Sequence, residues 1–98
     1  MSVNRYLPAA HHVAQTLPGI LAQLGLKPSI RRFVLTETER GAAWLFVDLE
    51  VSHLKHLEDY AASDVLQYLS KALHGLRVVI SNSFGLRYAV LLGSPNLP

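Results

Sequence analysis

Strand alternation is the feature that most constrains this chain, because in two places it fails. In Leu86-Arg87-Tyr88-Ala89-Val90-Leu91-Leu92 one set of alternate positions reads Leu, Tyr, Val, Leu and the other reads Arg, Ala, Leu. A strand covered on one side only alternates apolar with polar, so a segment apolar on both sets asks for cover on both faces. The first half of a second segment behaves alike: Leu45, Val47, Leu49 and Val51 lie on one side, and Trp44, Phe46, Asp48 and Glu50 on the other. Whatever fold forms must cover these strands twice over with a short chain.

The chain has 98 residues, which predicts a single domain over 1–98 with one modest core. Its hydrophobic fraction is 50% and its charged fraction 16%, so it is a folding sequence with few charges for its surface. Globular chains carry roughly 25% charged residues, and the shortfall points to surface hidden by a partner. Nine Lys and Arg against seven Asp and Glu leave a net charge of +2, which permits nucleic-acid binding without requiring it. The absence of cysteine excludes disulfides and thiolate chemistry, and slightly favours a reducing compartment. No segment reads as a signal peptide or approaches the ~20 apolar residues of a membrane span, so the expected setting is the cytoplasm, away from membrane.

The segment LPAAHHVAQTLPGILAQLGL sets Val13, Leu17, Ile20, Leu21 and Leu24 on one helical stripe, with Pro8 suited to the first turn and Gly25 and Pro28 to the stop. Pro18 should kink this helix near Ala14 or mark a second start capped by Thr16. Residues 30 to 38 and 43 to 51 alternate as two strands joined at Arg40-Gly41. Leu54, Leu57, Ala61, Val65, Leu69, Ala72 and Leu76 then follow helical spacing, starting from Ser52 or, in a shorter version, from Ser63 and Asp64, and stopping at Gly75. A second hairpin follows, and residues 92–98 read as a tail or linker stub.

The order is αββ-αββ, an α+β fold with two helices on one face of a four-stranded, mainly antiparallel sheet. Leu45, Val47, Leu49, Leu66, Leu69 and Leu73 are the expected core. The helices can cover only one face, which leaves Trp44, Phe46 and part of the last strand on the other. Trp44, Phe46 and Tyr88 are therefore the candidate interface residues.

Catalytic chemistry finds little footing. Ser81, Asn82 and Ser83 form a turn without a nucleophile elbow, and no phosphate-binding Gly-rich loop is present. Asp48 and Glu50 fit a solvent-facing strand. His53 and His56, three apart on a helix, could share a metal with Glu58 or Asp59, which defines the alternative of a small metal-dependent enzyme; nothing fixes the further ligands that zinc needs. The expectation is no enzyme, no cofactor and no metal. Arg31, Arg32, Arg77 and Arg87 are the candidate nucleic-acid contacts, provided that the fold gathers them beside the aromatic residues.

Residues 17 to 96 resemble the region preceding the nucleotide-binding core of FtsK/SpoIIIE-type DNA translocases, the motor's α domain. The likeness rests on Leu24-Gly25-Leu26 before a hairpin, Val51-Ser52-His53-Leu54 leading into a helix, and Pro95-Asn96 after the final hairpin. The family's second hairpin carries a Pro-Gly-Lys-like turn where this chain has Asn82-Ser83-Phe84-Gly85, and no ATPase core follows within these residues. The resemblance implies an accessory or α-like domain that assembles a ring or lines a DNA passage without motor activity. The expected function is thus a noncatalytic interaction and assembly module, its partner a second copy or a larger protein, with duplex DNA, bound without sequence preference, the further candidate.

Overall fold

The computed structural model describes residues 5–26, 30–50, 54–81 and 86–94, with the side chains of 54–57 left out. Along the chain it forms α1 (Leu7–Gln23), β1 (Ile30–Glu37), β2 (Ala43–Leu49), α2 (Leu54–Ala61), α3 (Ser63–Ala72), β3 (Val78–Ser81) and β4 (Leu86–Gly93). The fold is α+β: the four strands make one open antiparallel sheet in the order β1-β2-β4-β3. β4 runs through Leu92 and Gly93, two residues into the expected tail.

α1 begins with Pro8 in its first turn and passes through Pro18 without a second start. Thr16 lies inside the helix, where its hydroxyl donates back to the His12 carbonyl at 2.7 Å instead of capping. The helix closes as a Schellman motif: Leu26 N–H donates to Leu21 O at 2.9 Å and Gly25 N–H to Ala22 O at 3.0 Å, with Gly25 at φ 79°. At the other end the Tyr6 ring lies against Gly93. A Cβ there would stand 2.6 Å from Tyr6 Cε1, so only glycine admits the ring as placed.

The second helical segment is two helices, not one. The backbone turns extended at Ala62 (φ −60°, ψ 140°) and restarts at Ser63, with Asp64 in the first turn of α3 and Lys71 in the last, where each suits the helix dipole. The break has a use in the core. The Tyr60 carbonyl accepts the buried Tyr88 hydroxyl at 2.7 Å, a bond that joins α2 to β4. α3 closes with the same Schellman pattern as α1, Gly75 N–H to Ser70 O and His74 N–H to Lys71 O. The left-handed position after its cap is held by His74, at φ 61°, whose ring stacks on that of His12 in α1 at 5.9 Å between centroids.

All the buried helix residues meet one side of the sheet. Val13, Leu17, Ile20 and Leu21 of α1, Tyr60 of α2 and Leu69 with Leu73 at the end of α3 pack with Leu45, Val47, Leu49, Leu86, Tyr88, Val90 and Val78. The expected core residues fall here, Leu66 as a partly buried flank. Tyr88 corrects the sequence expectation. It is fully buried under the helices and pairs across the ladder with Val47, so it faces away from Trp44 and Phe46. Neighbours on a strand point to opposite faces, and Tyr88 shares parity with Leu86 and Val90.

Two stability changes are expected from chemical unfolding. Tyr88→Phe removes the bond to Tyr60 and should cost about 1 kcal/mol. His74→Gly relieves a left-handed backbone at a residue with a Cβ and should raise stability by on the order of 1 kcal/mol; no gain would mean that the contact with His12 outweighs that strain.

Candidate functional site

The sheet face turned away from the helices is assembled by the pairing register, since residues opposite one another across an antiparallel ladder share a face. Three rows result. Thr36, Trp44 and Leu91 form the first; Val34, Phe46, Ala89 and Val79 form the second; Arg32, Asp48, Arg87 and Ser81 form the third. The face is thus apolar over two rows and charged along the last. No described helix residue packs here, and Trp44, Phe46, Val34, Val79 and Leu91 keep part of their surface accessible.

Asp48 organises the charged row. Its carboxylate accepts from Arg32 Nε at 2.6 Å on one flank, and on the other from Arg87 Nε at 2.5 Å and Arg87 Nη2 at 3.2 Å. The Arg87 guanidinium also lies over the Phe46 ring, 4.7 Å from its centroid, which ties the charged row to the apolar one. Asp48 is only 16% exposed at its side chain, against 67% for Arg32 and 34% for Arg87. The Arg87 hydrogen bonds hold the Asp48 carboxyl well below its ordinary range, at about 2; partial burial opposes this and Arg32 adds to it. The same contact pushes the Arg87 guanidinium upward.

Of the expected interface residues, Trp44 and Phe46 are on this face and Tyr88 is not. The four arginines are not gathered. Arg32 and Arg87 flank one carboxylate, so the three groups together carry a single net positive charge. Arg31 is exposed beside Arg32, where the β1 register shifts. Arg77 lies at the far end: its carbonyl accepts from Leu91 N–H at 3.0 Å, four residues along β4 from Arg87, or about 13 Å at strand rise. The pairing of Asp48 was not legible one strand at a time. Its signal is the register itself, which sets Asp48 between two arginines on neighbouring strands.

His53 and Val51, Ser52, Asn82, Ser83, Pro95 and Asn96 lie outside the described residues, as does the side chain of His56. Glu58 and Asp59 are exposed. Among the described residues no three His, Asp or Glu side chains gather closely enough to hold a metal, and no helix is long and apolar enough to cross a membrane. No protein-family model, curated protein or solved structure matches the chain.

The acid limb of stability tests the charged row. Because folding lowers the Asp48 pKa, its contribution is fully present above about pH 4 and is lost as pH falls through about 2. After discounting for the solvent around Arg32, the loss should be on the order of 1 kcal/mol. Unfolding measured between these pH values should show it in the unmodified protein, and Asp48→Asn should remove that component.

Proposed function

We propose that this chain is a noncatalytic interaction and assembly module that docks a protein surface on the open face of its sheet. The observation that carries this is the pair of apolar rows centred on Trp44 and Phe46, on the side of the sheet that the helices leave bare. An aromatic pair with an arginine stacked on one ring is the composition of an interface centre, where desolvated aromatic and arginine side chains contribute most. Asp48 supports a protein partner over DNA, since phosphate would have to compete with it for Arg32 and Arg87. A second copy of the chain is the first partner to test. The resemblance to translocase α domains points to similar work, holding subunits of a larger assembly together, with DNA as a neighbour and not as the docked surface.

Trp44 is the single tryptophan, so its fluorescence reports on this face alone. As concentration rises, the protein should self-associate in sedimentation and its indole should become protected from a soluble quencher. Trp44→Arg should keep its helical signal and lose that protective association, because the residue stands outside the helix-packed core. Free quenching at every concentration, or a variant that unfolds, would overturn the proposal. Asp48→Asn decides the DNA question separately. It releases two guanidiniums, so a DNA-binding face would bind duplex more tightly and with a steeper salt dependence, whereas no binding at low salt by either form discards DNA as the partner.

A further inference from the structure

We infer that the occupant of the open face is a second copy of the chain, stacked face to face about a two-fold axis that runs along the strands between β2 and β4. This rests on the open-face reading and adds to it the partner and the register of the contact. The strand order β1-β2-β4-β3 has its midline between β2 and β4. Rotation about a line above that midline, parallel to the strands, keeps the rows level. It lays β2 over β4 of the second copy and β1 over β3. Sheets stacked in this way pack about 10 Å apart with strand directions within roughly 30°, the aligned arrangement of twisted sheets.

The residues that this rotation brings together are complementary. In the middle row Phe46 comes over Ala89 of the second copy, since the two are level across the ladder. Ala89 is only 5% exposed although it belongs to the open face, so it floors a hollow among larger neighbours that can take the ring. On either side of that row, Trp44 meets Leu91 of the second copy and Asp48 meets its Arg87. Each contact occurs twice, as in any isologous interface. The ion pairs within each copy stay closed. Asp48 accepts three hydrogen bonds of the roughly four that a carboxylate takes, and Arg87 spends two of its N–H groups on Asp48 and keeps others. The other two-fold that stacks aligned sheets runs across the strands, and the same residues oppose it. It would set Phe46 on Phe46 and Ala89 on Ala89, an overlap beside a void, and would lay Asp48 and Arg87 on Trp44 and Leu91. Charges covered by apolar side chains are costly. Large therefore meets small, and acid meets base, when the covering face is this one turned about its own strands, which selects a second copy as the occupant.

Charges introduced across one of these contacts test the register. Trp44→Lys and Leu91→Glu each set an unpaired charge against an apolar side chain of the second copy, twice per dimer. Each should weaken self-association about a hundredfold in sedimentation equilibrium, with circular dichroism confirming the fold. An equimolar mixture of the two should recover the dimer, because the introduced ammonium and carboxylate then face one another. The two-fold across the strands predicts the reverse: the ammonium would meet Asp48 and the carboxylate Arg87, so each variant alone would associate at least as well as the unmodified chain. Val34→Lys with Val79→Glu, which also face one another between copies, repeats the test should Leu91→Glu not fold. The inference is overturned if the folded single variants associate undiminished, or if two folded monomeric variants fail to recover when mixed. Should the unmodified protein still associate with Trp44 protected, either result overturns the register and leaves the open-face reading standing. An unmodified protein that is monomeric at its highest soluble concentration, with Trp44 freely quenched, overturns both.

Discussion

The structure depends on how β2 and β4 are matched. Val47 stands opposite Tyr88, and the same register carries Leu45 to Val90 and Leu49 to Leu86, which makes the apolar floor on which every helix rests. A slip of one residue in β4 would turn Tyr88 and Val90 outward and bring Arg87 beneath the helices, away from Asp48. Arg87 and Asp48 oppose one another in the register that forms, so the ion pair and the core favour the same alignment. The Tyr88 hydroxyl reinforces it from within, since its bond to Tyr60 holds only if that side of β4 faces α2.

Local departures from regular geometry coincide with this packing. The break at Ala62 gives up helical continuity at a point where the Tyr60 carbonyl bonds to the sheet. His74 takes a left-handed backbone usually left to glycine, and there its ring meets α1. Close approach governs the opposite end, where Tyr6 lies on Gly93 and Ala43 pairs with Gly93 without any exposure. The smallest residues sit where the start of α1 comes down on the sheet.

One helical layer on one sheet leaves the second face to other contacts, and within the chain these are polar as well as apolar. Asp48 holds Arg32 and Arg87 in fixed positions, and Arg87 in turn lies over Phe46. Ion pairs this near to solvent add little stability. Their consequence is geometric: they order one end of an apolar face and keep its arginines from acting as loose cations.

Helix and strand identities were readable in the sequence because each segment carries its own period. The stripe from Val13 to Leu24, the alternation from Leu45 to Leu49 and the two-sided apolarity of 86–92 are local properties, and they led to an α+β fold with one face of the sheet left bare. Trp44 and Phe46 were legible as residues of that face for the same reason. Tyr88 was misplaced because β4 is apolar on both sides, so its pattern alone does not say which set meets the helices; pairing with Val47 decides that. A start at Ser63 was readable locally, but a separate α2 before it was not, while the bond from Tyr88 to Tyr60 spans 28 residues and the Arg32, Asp48 and Arg87 cluster rests on contacts spanning 16 and 39. Period is written into neighbouring residues, whereas strand order, register and charge pairing arise only when distant segments meet, and there the tertiary structure alone decided.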